Sequence, residues 1–244
     1  MNAVKISKAV VLAAGRGTRM KSLTEDCPKP MLPLGGKPML AHQIERLESA
    51  GVSDVLIITG YKAEMVEDYF RRHPPRRAKL HYRRQVPQDG TGTAALLARD
   101  FAGNDPFLLT FGDILVDSHI YDAMFAGLDG AQAVLAVKRV DDPYQGAAVY
   151  TSGDRVTRII EKPPKGTSKT NWNNAGIYCF PPGVFDELER VQPSPRGEYE
   201  LTDAVHKMLE AGVTFHWYEI KGFWRDVGRP EDLPWAEEHL AGQA

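Results

Sequence analysis

The strongest constraint on the fold is a recurrence of short, unbroken apolar runs, each followed by residues at helical spacing. Val10-Val11-Leu12-Ala13, Val55-Leu56-Ile57-Ile58 and Phe107-Leu108-Leu109-Thr110-Phe111 are strand-length and lack a polar face. Strands of a parallel sheet that is covered on both sides read this way. Between them, Leu40, Ile44 and Leu47 run up to Gly51, and Met65, Val66, Tyr69 and Phe70 run up to His73-Pro74-Pro75. These are one-faced helices with glycine or proline stops. A short strand over 80–82 and a helix over 94–101 complete the first half. Strand and helix in alternation predict parallel strands joined by crossovers. The pattern then changes. Runs at 133–140, 147–151, 156–160 and 175–180 are separated by short polar turns, which predicts antiparallel pairing. Leu201, Val205, Met208 and Leu209 mark a helix opened by Glu198 and Glu200. A strand at 214–220 follows, then a last helix over 230–240 with Pro230 in its first turn. The expected class is α/β, a Rossmann-like, mixed but mostly parallel sheet flanked by helices. One domain over 1–244 is expected, with halves at about 1–130 and 131–244. The Pro/Gly/Ser/Lys stretch 164–170 is expected to be the least ordered.

Composition narrows the function classes. The 30 Lys and Arg nearly balance the 32 Asp and Glu, for a formal charge of −2. That leaves no basic footprint for nucleic acid or an anionic membrane. No apolar run approaches the roughly 20 residues of a membrane span. The first eight residues lack the apolar stretch and cleavage site of a signal peptide, and two cysteines, Cys27 and Cys179, are too few for a disulfide framework or a structural zinc site. A soluble, cytoplasmic protein is the expectation; a homo-oligomer is left open.

The first strand runs into Leu12-Ala13-Ala14-Gly15-Arg16-Gly17-Thr18-Arg19-Met20. Glycines just beyond a parallel strand let the backbone turn tightly and point its amides at an anion. Met20 stands where a dinucleotide fingerprint needs its third glycine, and Thr18-Arg19 does not end a Walker loop. Gly15 and Gly17 could simply make a turn. Arg16, Arg19 and Lys21 beside them supply counter-charge and favour a phosphate chain. Ten residues on, Pro28-Lys29-Pro30-Met31-Leu32-Pro33 restricts the backbone around Lys29. By itself such a lysine reads as a solvated loop residue. Asp113 follows the third strand directly, at the sheet edge where ligands of open α/β sheets gather.

Together, the glycine loop and the Pro-Lys-Pro loop resemble those of the sugar-1-phosphate nucleotidylyltransferases, close to the glucose-1-phosphate thymidylyl- and uridylyltransferases. Similar motifs run from about residue 10 to about 233. Gln85-Val86-Pro87-Gln88-Asp89-Gly90-Thr91-Gly92 resembles the family's base-recognition segment. There Gln85 offers a donor and an acceptor to a pyrimidine edge, and Gly90 leaves room beside the ring. Trp224-Arg225-Asp226-Val227-Gly228 supplies a second carboxylate. Ile160-Glu161-Lys162-Pro163, Arg196-Gly197-Glu198, Asn174 and Gly146 are similar to sugar and sugar-phosphate contacts. Tyr178 reads as core. Ser22 and Gln145 depart from the family pattern, the first in place of proline and the second in place of tyrosine.

The resemblance implies a nucleotide-diphospho-sugar transferase-like fold, a nucleotide half and a sugar-phosphate half. It implies transfer of a nucleoside monophosphate from an NTP, dTTP or UTP favoured, to a sugar-1-phosphate, releasing pyrophosphate. Leu12, Ala14, Gly15, Gly17, Thr18, Arg19, Gln85 and Gly90 would bind the nucleotide. Gly146, Glu161, Lys162, Asn174 and Arg196 would bind the sugar phosphate. Asp113 and Asp226 would hold Mg²⁺, and Arg19, Lys29 and Asp113 would be catalytic. Two rivals are a noncatalytic binding subunit and a glycosyltransferase. Loss of Lys29 or of an aspartate would favour the first, an Asp-x-Asp pair the second. Lys29, Asp113 and Asp226 are all present, and Asp113 is followed by Ile114 and Leu115.

Overall fold

A computed structural model describes residues 6–128 and 131–241. The amino-terminal residues 1–5, on which the signal-peptide expectation partly rests, lie outside them. In chain order the elements are β1 (Lys8–Leu12), the hairpin β2 (Pro33–Leu34) and β3 (Lys37–Pro38), α1 (Met39–Ser49), β4 (Asp54–Thr59), α2 (Ala63–Arg72) and β5 (Lys79–Arg84). Then come α3 (Thr91–Leu96), α4 (Arg99–Ala102), β6 (Phe107–Phe111), β7 (Ile114–Val116), α5 (Ser118–Ala126) and β8 (Ala133–Arg139). The rest are β9 (Ala147–Ser152), β10 (Arg155–Glu161), β11 (Trp172–Phe180), α6 (Val184–Leu188), α7 (Leu201–Glu210), β12 (Phe215–Glu219), β13 (Trp224–Asp226) and α8 (Asp232–Ala241).

Nine strands form one sheet in the order β5-β4-β1-β6-β11-β8-β12-β10-β9. The β1, β4, β5 and β6 pairings are parallel, as the apolar runs predict. β11 and β10 run against the rest. Alternation along each strand fills both sides. Val11, Val55 and Ile57 pack under α1 and α2 with Leu40, Ile44, Val66 and Phe70. Val10, Leu56 and Ile58 face the opposite layer, with Ala98 from the turn before α4, Val184 from α6, and Leu201 and Val205 from α7. Successive side chains on a strand point to opposite faces, so an unbroken apolar run serves two layers at once.

The runs between 133 and 180 pair antiparallel as expected, and the late strand β12 joins β8 in parallel. Three expectations need correction. The 94–101 helix is two short pieces, α3 and α4. α8 begins at Asp232 instead of around Pro230, because the Asp232 carboxylate accepts from the Gly228 and Arg229 amides, 2.9 and 2.8 Å, and closes the turn first. The 164–170 stretch is tied down: the Gly166 amide donates to Asp142 Oδ2 at 2.8 Å and Thr167 Oγ1 to Pro164 O at 2.7 Å. Of the α2 stripe, Met65 is exposed and Val66 and Phe70 are buried. Among the described residues no helix is long and apolar enough to cross a membrane.

Candidate active site

The carboxyl ends of β1 and β6 open into a cleft of about 400 Å³ whose walls come from both halves of the chain. Leu12, Ala14, Gly15, Arg19, Gln85, Gly90 and Asp113 line it from the first half. Gly146, Glu161, Lys162, Asn174, Arg196 and Asp226 line it from the second. Gly17, Thr18 and Lys29 are not among its lining residues.

Asp113 and Asp226, more than a hundred residues apart, are brought together by a two-stranded ladder that the sequence reading missed. β7 pairs antiparallel with β13, setting Ile114 opposite Asp226. The Val227 amide donates to Asp113 O at 2.9 Å, and the Gly112 amide donates to Leu12 O at 2.8 Å. Lys29 is not a solvated loop residue: it is 6% exposed. Its Nζ lies 2.5 Å from Asp113 Oδ2 and 3.8 Å from Asp226 Oδ1. Room for its stem comes from the glycine loop. Gly17 has φ +67°, and a Cβ there would stand 2.7 Å from Lys29 Cβ. Gly15, by contrast, faces open space.

The two carboxylates suit a hard divalent cation. Asp226 Oδ1 is sequestered and has no hydrogen-bond partner. Burial, and then the Asp113 charge, push the Asp226 carboxyl up to about 6, against the pull of Lys29 and Arg19. A cation that touched both aspartates would relieve that repulsion. Among the described residues no cluster of three or more His, Cys, Asp or Glu is preformed. Remaining ligands would therefore be phosphate oxygens and water, as Mg²⁺ prefers.

Gln85 is 6% exposed, and its amide nitrogen is committed within the protein, donating to Gly90 O (2.8 Å) and Thr93 Oγ1 (3.0 Å). A donor-plus-acceptor reading of this side chain is therefore corrected to an acceptor alone. Gly90 lines the cleft, and its neighbours inside the fold also require a glycine there. At φ +144°, a Cβ would overlap the Tyr199 carbonyl oxygen and stand 2.5 Å from the Tyr199 amide nitrogen. The Tyr199 amide donates to Asp89 O (2.9 Å), and the Gly92 amide donates to Tyr199 O (2.7 Å). These contacts join the two halves across the cleft mouth.

At the far end, Arg196 Nη2 is paired with Glu200 and lies 3.6 Å from both Glu161 Oε1 and Glu198 Oε2. Thr202 Oγ1 donates to Glu161 Oε2 at 3.1 Å. Burial, and then the nearby Glu200 charge, push the Glu161 carboxyl up to about 7, despite Thr202, Lys162 and Arg196. Lys162 is exposed and has φ +39°, a conformation in which its amide donates to Gly146 O at 2.7 Å. Gly146 leaves space for the Asn173 side chain. Asn174 Oδ1 accepts from the Gly176 amide at 3.1 Å, and its Nδ2 is bonded to the Tyr178 hydroxyl. Tyr178 is fully buried core. Glu200, Thr202, Asn173 and Trp224 also line the cleft. They carry no motif signal beyond their neighbours, and no periodicity would have singled them out.

A nucleotidyl transferase family model matches residues 8–243. The chain is 40% identical over 233 residues to the bifunctional protein GlmU of Methanococcus maripaludis, covering 95% of this chain and 54% of that protein. It thus spans about half the length of such relatives. It is 36% identical over 241 residues to the UTP–glucose-1-phosphate uridylyltransferase AglF of Haloferax volcanii, covering 96% of each. In structure it resembles UDP-glucose pyrophosphorylase complexed with UDP-glucose, with a TM-score of 0.88, 24% identity and coverage of 98% and 100%. At that identity the likeness speaks for the fold. Matched by the family model over nearly its whole length and aligned with AglF throughout, the chain belongs to the nucleotidyl transferase family.

Proposed function

We propose that this chain transfers a nucleoside monophosphate from UTP or dTTP to a glucose-1-phosphate-like sugar phosphate. A sugar-phosphate oxygen forms the new bond to the α-phosphorus. The bond from that phosphorus to the β-phosphate bridge breaks, and pyrophosphate leaves with the electron pair. The observation that carries this reading is one cleft lined by Asp113 and Asp226, both paired with the buried Lys29, and by Glu161, Lys162 and Arg196 from the second half of the chain. The name of AglF, a UTP–glucose-1-phosphate uridylyltransferase, points the same way.

The chain's task is to bring two polyanions together and stabilise charge, with no covalent nucleophile. The open backbone at Gly15 and the Arg19 guanidinium face the triphosphate, and Lys29 supplies positive charge at the reacting phosphate. Lys162 and Arg196 orient the sugar phosphate, while Glu161 and Asn174 meet its hydroxyls. Asp113 and Asp226 would hold Mg²⁺, which when bound neutralises charge on the phosphates. With its nitrogen already spent, Gln85 presents an oxygen that can accept the imide N–H of uracil or thymine. Purines present another edge and a larger ring. Because the reaction draws on nucleoside triphosphate pools, the proposed compartment is the cytoplasm.

The test is a matrix of equimolar UTP, dTTP, GTP and ATP against sugar-1-phosphates, read by pyrophosphate release and product mass. UMP or dTMP transfer to a sugar phosphate is expected. Preferential transfer of GMP or AMP would overturn the base assignment, and no pyrophosphate from any pair would overturn the reaction.

A further inference from the structure

We infer that Gln43, a residue of α1 in the layer beneath the sheet, is a positioning residue that holds the Asp113 turn in its working geometry. This rests on the proposed reaction. Gln43 is 1% exposed and reaches up to the connection between β6 and β7. Its Nε2 donates to Phe111 O at 2.9 Å and to Ile114 O at 3.0 Å, with Thr110 Oγ1 at 3.4 Å. Phe111 and Ile114 flank Gly112-Asp113, so one amide group clamps both ends of the turn that carries the carboxylate. The turn is held from two other directions, by the Gly112 amide on Leu12 O and the Val227 amide on Asp113 O. Gln43 closes the third side, where no strand is available.

The same amide is poorly placed for stability. Its Oε1 has the Tyr121 hydroxyl beside it, and neither atom makes a hydrogen bond of good geometry. A buried acceptor left poorly satisfied costs free energy that an apolar side chain of the same shape would not. A residue that only filled the space between α1 and the sheet would be leucine or methionine, like its neighbours Leu40, Ile44 and Leu47. The geometry therefore points to the donor, aimed at two carbonyls beside Asp113, as what this position supplies. Groups that orient a ligand-bearing residue without touching the metal typically change metal affinity or activity by about 10–100-fold when removed.

The experiment compares Gln43→Met, which keeps the shape and loses the donor, with the unchanged chain. Three quantities are read: kcat and KM for both substrates, the Mg²⁺ concentration for half-maximal rate, and the rise in Tm that UTP plus Mg²⁺ gives over UTP alone. The expected result is a roughly tenfold fall in kcat, a several-fold rise in the Mg²⁺ requirement and a smaller Mg²⁺-dependent rise in Tm. Both KM values and the Tm of the free protein should stay close to those of the unchanged chain. Equal Mg²⁺ requirement and equal Mg²⁺-dependent Tm rise in both proteins would overturn the inference. Gln43→Glu, isosteric and polar, is the second variant if Gln43→Met does not fold; failure of both to fold would also overturn it, because Gln43 would then serve the fold. If the unchanged chain turns over no substrate pair, the proposed reaction fails. The Mg²⁺-dependent Tm rise still decides the role of Gln43, and its absence from the unchanged chain counts against that role.

Discussion

Gly17 and Lys29 occupy one another's space: the stem of the lysine fills the volume that a side chain on the glycine would take, with Lys29 Cβ 2.7 Å from the position of a Gly17 Cβ. The glycine loop therefore does two jobs. Gly15 leaves the backbone open toward the cleft, and Gly17 lets a buried lysine pass behind the loop to the aspartates.

Gly17→Ala tests this directly. The left-handed φ of +67° disfavours any L side chain by about 1–2 kcal/mol. The clash also pushes Lys29 away from Asp113. Chemical denaturation should show a loss of that size, and kcat should fall by more than the lost folded fraction explains. A variant with normal kcat would mean that the lysine's position does not depend on the loop.

Lys29→Met keeps most of the stem volume and removes the charge. Turnover should drop at least about a hundredfold, the scale for losing a preorganised group that stabilises developing charge. KM for the NTP should change much less. Asp113→Ala and Asp226→Ala should each abolish turnover in a folded protein, as circular dichroism can verify, because both oxygens are needed to hold the cation. Full activity of either variant at ordinary Mg²⁺ would remove that residue from the site.

Lys162→Ala and Arg196→Ala should both raise KM for the sugar phosphate more than for the NTP, by about 1.5–3 kcal/mol for each lost charge-assisted bond. Their stabilities should differ. Lys162 is exposed, whereas Arg196 pairs with Glu200, which is 4% exposed. Removing Arg196 leaves that buried carboxylate without its cation, so only Arg196→Ala should show a lower Tm. A rise in the NTP KM alone would assign both residues to the other substrate.

Glu161 gives a prediction in pH. Its carboxyl is raised from 4.5 to about 7 in the fold, by burial first and by Glu200 next. The folded state thus favours the protonated form. The stabilisation linked to this group is complete below its unfolded pKa and is lost as pH rises through about 7. Glu161→Gln, which cannot ionise, should gain stability relative to the unchanged chain as pH rises from 5 to 8, by about 2 kcal/mol. Parallel stability curves across that range would show that Glu161 ionises normally.

Much of the architecture was legible along the chain because it depends on local pattern. Val10, Val11, Leu56 and Ile57 announce buried parallel strands by having no polar face, and glycine and proline mark where helices stop. Asp113 was legible for the same reason, since a carboxylate that ends such a strand lies at the ligand edge of the sheet. What local pattern could not show was which distant groups share a volume. Asp226 reaches Asp113 only through the β7–β13 ladder, and those strands, three residues each, are too short to carry a periodicity. Gly90 is glycine because Tyr199, more than a hundred residues later, passes against it. Lys29 and Gln85 looked like solvated polar residues until the fold buried them and spent their donors on Asp113, Gly90 and Thr93. Sequence alone determined the longer strands, the one-faced helices and the glycine and Pro-Lys-Pro loops, because backbone preference and one-faced burial act over a few residues. Tertiary structure alone decided the charge pairs and the close approaches, because electrostatics and excluded volume act through space regardless of separation along the chain.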